Sequence, residues 1–188
     1  MTGGLKWTFP LLVRVVGTHG GEAFEKVGDV AEIERFVAAH RQAWFYLTQY
    51  ADYRSSDGFF RKYRFFFVDG AILPYHLAIH DTWKVHHATT GMADRLWMRS
   101  EEEAFLAAPE SVFEPRHVAA LQAIRAAIGL DFFGIDCAID AEGLLVVFEV
   151  NATMLVHQSD ERFAYKAPAV DRIKRAFDAM LRRRALGE

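Results

Sequence analysis

Short apolar and alternating stretches predict strands that pair as antiparallel hairpins, with amphipathic helices between them. Leu11 to Val16 is an apolar strand interrupted by a single cation, and Phe24 to Val27 is its returning strand. Asp29 followed three residues later by Glu32 is a capping box, which predicts a helix to about residue 40. The aromatic stretch Trp44 to Tyr50 predicts another strand.

The second part of the chain repeats this alternation of strands and helices. Arg61 to Val68 reads as a strand that becomes apolar, and Asp69-Gly70 predicts a tight hairpin turn into a returning strand over residues 71–80. The acidic triplet Glu101 to Glu103 predicts the start of a short helix. Two longer helices follow, from Pro115 to Gly129 and from Pro168 to Leu181.

The stretch from Gly134 to His157 carries the most informative polar positions. It reads as two strands joined by the turn residues 140–143. Glu149 and Asn151 are two residues apart and leave the second strand on one face, and a short hairpin brings Asp136 across from them. Two carboxylates and an amide oxygen suit Mg²⁺ or Mn²⁺ carrying nucleotide phosphates. The alternative interpretation is a strand-end aspartate beside a solvated strand face.

A glycine-rich loop follows the first strand. Gly17-Thr18-His19-Gly20-Gly21 leaves backbone N–H groups free to face an anion, and Arg14 on the preceding strand adds a fixed cation. The pattern lacks the GxxxxGK[ST] spacing of a P-loop, and a glycine-rich hairpin turn remains the alternative interpretation.

Four histidines, His76, His80, His86 and His87, lie within twelve residues and raise the hypothesis of a histidine-based metal enzyme. Their spacing matches no zinc motif on a helix, and no cysteine pair accompanies them. Polar or aromatic lining of a cleft is the favoured interpretation.

Composition narrows the class of protein. The 188 residues are 52% hydrophobic, which indicates a folded body, and the net charge of -3 favours no nucleic-acid partner. The single cysteine, Cys137, suits a reducing compartment. No apolar run reaches membrane-spanning length and no signal peptide is evident, so we expect a cytoplasmic protein without a membrane partner.

The order of these elements resembles the ATP-grasp superfamily, in its ribosomal-modification ligase and glutathione-synthetase-like branch. The resemblance covers residues 10–181 and lies in three segments: FGIDCAID with VVFEVNATML, LLVRVVGTHGG, and RKYRFFFVDG. It implies an α+β fold of two subdomains with antiparallel sheets clasping a nucleotide cleft. After a lead-in over residues 1–9, we expect the smaller subdomain at residues 10–50 and the larger at 51–188.

The resemblance also implies roles for individual residues. Asp136, Glu149 and Asn151 would hold Mg²⁺, and Arg64, assisted by Lys62 or Arg61, would contact the transferred phosphate. Arg14 and the loop Gly17, Thr18, His19, Gly20 and Gly21 would bind the ATP phosphates, and Gln49 and Tyr50 would lie along the adenine. His76, Trp83 and His86 are weaker candidates for contact with the acceptor substrate.

Three departures from the family pattern qualify these roles. Arg14 stands where the family usually has a lysine, and His76 stands where many relatives have an arginine. Family members usually carry a further N-terminal domain. Either a second copy of the chain or a partner chain supplies that part, or the chain is truncated, or the protein has lost ligase activity.

The implied activity is an ATP- and Mg²⁺-dependent ligase that joins a small-molecule or peptide carboxylate to an amine or thiol through an acyl phosphate, or the catalytic fragment of one. The alternative within the same fold is a nucleotide-binding or regulatory module without turnover.

Overall fold

The computed structural model describes residues 6–18, 21–41, 43–85, 90–157 and 161–187. The chain divides into two compact units, Met1–Asp52 and Tyr53–Glu188. In each unit helices pack on an antiparallel sheet, so the predicted α+β class is confirmed. No helix in the described part of the chain is long and apolar enough to cross a membrane.

The first unit is a small sheet with one helix against it. Its described strands are β1 (Leu11–Val15), β2 (Phe24–Val27) and β3 (Phe45–Gln49), in the order β2-β1-β3, and its helix is α1 (Val30–Ala39). Leu11, Val13 and Val27 point to the same side and bury Phe36 of α1. The alternate positions of β1 therefore lie on the face away from the helix.

The start of α1 confirms the predicted capping signal. The Asp29 side chain accepts a hydrogen bond from the Glu32 N–H at 2.9 Å, and the Glu32 carboxylate accepts one from the Gly28 N–H at 2.6 Å. The first bond satisfies an N–H of the first helical turn, so Asp29 is the predicted N-cap; the second reaches Gly28, one residue before the Asp29 N–H that a capping box would use.

The second unit is built on a larger antiparallel sheet. Its described strands run in the order β5-β4-β6-β7. Their bounds are Phe60–Val68 for β4, Ala71–His80 for β5, Phe132–Ile139 for β6 and Leu145–Asn151 for β7. The β4–β5 turn is the predicted one, with Asp69 and Gly70 at φ values of 48° and 87°. The pairing of β4 with β6 joins segments that lie far apart in the sequence.

Helices cover both faces of this sheet. They are α2 (Leu96–Ala107), α3 (Pro115–Ile128) and α4 (Ala167–Leu186). On one face, Phe65 and Phe133 pack with Phe105 of α2 and Leu121 of α3. On the other face, at one end of the strands, apolar residues of β4 pack against α4; this cluster includes Phe66, Val68, Val170, Ile173 and Met180. Each fully buried side chain of this size stabilises the fold by roughly 1.5–3 kcal/mol.

The expectation that the acidic triplet opens a helix is wrong. Helix α2 begins at Leu96, so Glu102 lies in its middle and is fully buried. Its carboxylate is paired with Lys166 Nζ at 3.1 Å and accepts hydrogen bonds from the Tyr165 hydroxyl at 2.6 Å and the Leu77 N–H at 3.1 Å. Burying a carboxylate is costly unless it is paired and hydrogen-bonded, and Glu102 has both kinds of partner.

Candidate functional site

A row of polar side chains crosses the larger sheet from strand to strand. Arg64 of β4 pairs with His76 of β5 on one side and with Asp136 of β6 on the other. Asp136 in turn pairs with Glu149 of β7. Residues paired directly across antiparallel strands share a face, so the four side chains leave the sheet together. The register places Asp136 across from Glu149, as the sequence predicts.

The centre of this row is the Asp136 carboxylate, which is 3% exposed. Arg64 donates from Nε to one carboxylate oxygen at 2.6 Å and from its terminal nitrogen to the other at 2.8 Å. Lys62, two residues away on the same face, places Nζ 3.0 Å from the second oxygen. Asp136 is therefore not a strand-end residue exposed to solvent, and both of its oxygens are engaged by cations.

These contacts set the charge state of the pair. Burial alone would raise the pKa of Asp136, but the hydrogen bonds from Arg64 and the charge of Lys62 outweigh it, and the pKa lies below its ordinary value. For Arg64, burial works against the charged form, and the hydrogen bonds to Asp136 outweigh it and raise the pKa. The carboxylate and the guanidinium are both ionised at neutral pH.

The two remaining oxygen donors lie at the end of β7. The Glu149 side chain is exposed and accepts a hydrogen bond from Asn151 Nδ2 at 3.0 Å. The Asn151 side-chain oxygen, Oδ1, accepts hydrogen bonds from the Thr153 N–H at 2.8 Å and the Thr153 hydroxyl at 2.9 Å. Asn151 therefore orders the turn that follows the strand.

Strand alternation separates the cations at the start of β4. Arg61 lies on the opposite face, where its guanidinium pairs with Asp57 at 2.8 Å and with Glu101 of α2. Lys62 and Arg64, two residues apart, share the face of Asp136. The resemblance gives Lys62 or Arg61 as the residue that assists Arg64. In the structure Lys62 lies in the polar row and Arg61 lies on the opposite face of the sheet.

The three candidate ligands are of the type that Mg²⁺ prefers. Asp136, Glu149 and Asn151 are oxygen donors on one face at the end of one hairpin, and Mg²⁺ is usually bound by one or two carboxylates together with substrate phosphates. The described residues contain no group of three or more His, Cys, Asp or Glu side chains placed to hold a metal ion. In residue type the set fits a Mg²⁺ ion that a nucleotide brings with it, and in this structure both Asp136 oxygens are paired with Arg64 and Lys62.

The predicted phosphate loop lies in the first unit. Arg14 is on the face of β1 away from α1, and its guanidinium donates to the hydroxyl of Thr18 at 3.3 Å and to the Thr18 carbonyl. Gly17 and Gly21 have φ values of 85° and 84°, which suit glycine at the two ends of this loop. Two predicted members of the loop, His19 and Gly20, lie outside the described residues.

Gln49 and Tyr50, predicted to lie along the adenine, are at the end of β3. The Gln49 amide donates to the Thr8 carbonyl at 2.7 Å and binds the segment before β1. Lys26 Nζ lies 4.5 Å from the centre of the Tyr50 ring, within cation–π range. Lys26 was not singled out from the sequence. Lys26 pairs with Leu12 in the β1–β2 hairpin, and Leu12 is two residues from Arg14, so Lys26 lies on the Arg14 face. The alternation of side chains along the two strands is the sequence signal that could have identified it.

The weaker substrate candidates are placed differently from one another. His76 is buried in the polar row beside Arg64. Trp83 packs partly buried against the cluster of Tyr53, Phe60 and Val85. His80 contacts Asp81 at 3.1 Å. His86 and His87, which the histidine-metal hypothesis also needs, lie outside the described residues.

Comparison with known proteins gave similarities of structure at low sequence identity. No protein-family model and no curated protein matches the sequence. The fold is similar to that of ATP-grasp ligases. The chain matches the L-amino acid ligase from Bacillus licheniformis at 14% identity and a TM-score of 0.44, covering 78% of this chain and 32% of that one.

Two further solved structures are complexes. One is the ATP-grasp ligase PsnB with precursor peptide PsnA2 and AMPPNP (15% identity, TM-score 0.46, 92% of this chain and 46% of that one). The other is N5-carboxyaminoimidazole synthetase from Staphylococcus aureus with ADP (12% identity, TM-score 0.46, 87% and 42%). The chain thus spans less than half the length of each of these three proteins.

Proposed function

We propose that this chain is an ATP- and Mg²⁺-dependent ligase, or the catalytic part of one, that joins a carboxylate to an amine or thiol. The observation that carries the proposal is the polar row of the larger sheet, in which Lys62 and Arg64 meet Asp136 and Glu149 on one face. Phosphoryl transfer asks a protein for cations and metal-binding oxygens at fixed positions, and the row supplies both.

Lys62 and Arg64 would neutralise the charge on the transferred phosphate. Both are held in place by Asp136, and both belong to a strand in the middle of the sheet. The Arg64 guanidinium offers paired N–H donors that match phosphate oxygens, and Lys62 adds a compact charge beside it. Positioning of this kind lowers the barrier without a protein nucleophile.

Asp136, Glu149 and Asn151 would hold the metal ion. When bound, Mg²⁺ would offset the charge of the phosphates and orient them for transfer. Asp136 is the ligand that lies beside both cations of the row, and Glu149 is the exposed one at the end of β7.

The proposed reaction has two steps. An oxygen of the substrate carboxylate attacks the γ-phosphorus of ATP, the bond to the bridging oxygen breaks, and ADP leaves. The nitrogen or sulfur of the second substrate then attacks the acyl carbon, phosphate leaves with its electron pair, and the nucleophile loses a proton. His76 and Trp83 are proposed to face the acceptor, and Arg14 with its glycine loop is proposed to bind phosphate.

A nucleotide-binding module without turnover is the second candidate. The observation in its favour concerns Arg14: its guanidinium donates hydrogen bonds to Thr18 of the adjoining loop, and these donors are then not directed at a phosphate. Such a module would bind Mg-ATP and form no product.

Trapping of the acyl phosphate distinguishes the two candidates. The protein is incubated with Mg-ATP, hydroxylamine and a panel of amino acids, short peptides and small carboxylic acids, and ADP and hydroxamate are measured. The ligase proposal predicts equal amounts of ADP and hydroxamate for one substrate class. In Arg64→Gln the rate of their formation should fall by at least about 100-fold, as expected when one electrostatic donor to the transition state is removed. Nucleotide binding without ADP or hydroxamate from any acid would favour the module.

A further inference from the structure

The oxygens of Asp136 and Asn151, two of the three candidate metal ligands, are engaged within the protein. Asp136 gives one oxygen to Arg64 and shares the other between Arg64 and Lys62. The Asn151 oxygen accepts two bonds from Thr153, at 2.8 and 2.9 Å. A metal ion that uses these oxygens competes with N–H and O–H donors already in place.

The row is also balanced in charge. Lys62 and Arg64 are two cations, and Asp136 and Glu149 are two carboxylates on the same face. A divalent cation arriving alone would draw Asp136 away from two partly buried cations and leave them unpaired. A free phosphate arriving alone would draw the cations away and leave a buried carboxylate. Breaking one side of a buried ion pair is strongly unfavourable, so each ligand by itself meets a penalty.

We propose that the metal ion and the polyphosphate enter this site together, by an exchange of ion-pair partners. Arg64 and Lys62 release Asp136 when phosphate oxygens take their N–H donors, and Asp136 is then free for the divalent cation. The row thus selects a metal–polyphosphate complex over either ion alone. This inference rests on the proposed function, because it takes the same row as the nucleotide site.

The test measures metal binding without nucleotide. Mn²⁺ is titrated into the full chain, and free Mn²⁺ is followed by electron paramagnetic resonance. The parent should bind weakly. Arg64→Gln and Lys62→Gln should each bind Mn²⁺ at least about tenfold more tightly, an effect within the usual range for coupled sites, because each uncovers Asp136. Both variants should bind a non-hydrolysable ATP analogue with Mg²⁺ less tightly than the parent.

Two controls identify the cause of the gain. Arg125→Gln removes the same charge from α3, where the guanidinium donates to the Gln122 amide oxygen at 3.0 Å rather than to a carboxylate, and it should leave Mn²⁺ binding at the parent's level. Adding Asp136→Asn to Arg64→Gln should abolish the gained binding. Circular dichroism establishes that each variant is folded, and Lys62→Gln carries the test if Arg64→Gln does not fold.

The outcomes separate this inference from the proposed function. If Mn²⁺ alone binds the parent as tightly as it binds the folded variant, the exchange is refuted, even where the parent binds Mg-ATP. If the variants gain Mn²⁺ binding and the parent binds no nucleotide analogue, the cations do cover Asp136, and the nucleotide function and the exchange that depends on it are both wrong.

Discussion

Replacing Gly134 by alanine tests how closely the turn after β7 packs on the sheet. Gly134 pairs with Asn151 in the β6–β7 register. A methyl group at Gly134 would lie 3.1 Å from both Cβ and Cγ of Met154, and closer still to its sulfur. Carbon atoms in good contact are about 3.5–4.0 Å apart, so Met154 must move. Because Met154 is buried with Phe66 and Val170, it has little room to do so.

The expected change in stability combines two opposing effects. Overpacking of a filled core costs about 1–3 kcal/mol. Loss of the glycine's freedom in the unfolded chain returns about 0.4–1 kcal/mol. We therefore expect Gly134→Ala to lower the free energy of unfolding by about 1–2 kcal/mol. For a chain of this size the melting temperature should fall by roughly 2–8 °C.

A double-mutant cycle assigns the effect to the contact. Urea unfolding is measured for the parent, Gly134→Ala, Met154→Ala and the double variant. Removing the Met154 side chain should reduce the penalty of the added methyl by at least about 0.5 kcal/mol, since residues in contact show coupling of that size or more. An alanine variant as stable as the parent, or an equal penalty in both backgrounds, would refute the packing described here.

Three further predictions concern other charged and buried groups. Lys166→Met should lower the free energy of unfolding, measured in urea titrations, by about 3–5 kcal/mol, because it leaves Glu102 buried without its cation. Adding Glu102→Gln should recover part of this loss, and a loss below about 1 kcal/mol in the single variant would contradict the prediction. Burial raises the pKa of the Cys137 thiol, so Ellman's reagent at pH 8 should react with it only on unfolding, and rapid reaction of the folded chain would contradict its placement. The pKa of Asp57 is lowered, chiefly by hydrogen bonds from Arg61, so its contribution is present above its ordinary value of 3.8 and is lost as the pH falls through the lowered pKa of the folded chain. Because Asp57 is half-exposed, Asp57→Asn should cost less than about 1 kcal/mol at pH 7 and less again as the pH falls below 3.8, and a cost that grows on acidification would contradict the sign.

Local signals in the sequence predicted most of the strands and the core of the site. Alternation and turn residues predict the β6–β7 hairpin, but its register also depends on a β-bulge. From the turn to the pair Cys137–Val147 the ladder is regular and, continued without a shift, would set Asp136 across from Phe148; the bulge next to Asp136 sets it across from Glu149 instead. The same alternation, applied to β4, separates Arg61 from Lys62 and Arg64 and marks Lys26 as a neighbour of the Arg14 face.

Local sequence signals did not predict contacts between segments that lie far apart in the chain. The ion pair of Arg64 with Asp136 depends on β4 lying beside β6, and the intervening helices gave no local sign of that pairing. Glu102 reads as a surface residue at a helix start, because acidic residues are common there. Its burial depends on Lys166, which the chain supplies only after the last strand.

The most direct test of the proposed nucleotide site is thermal stability with and without Mg²⁺ and ATP. The parent is compared with Asp136→Asn and with Glu142→Gln, a control that removes an exposed carboxylate from the turn of the same hairpin. At about 100 times the Kd, the ligand should stabilise the parent and the control by roughly 2.7 kcal/mol, and only when Mg²⁺ is present. Asp136→Asn should lose this shift while remaining folded. An equal shift in Asp136→Asn, or none in the parent at millimolar Mg-ATP, would contradict the assignment of the site.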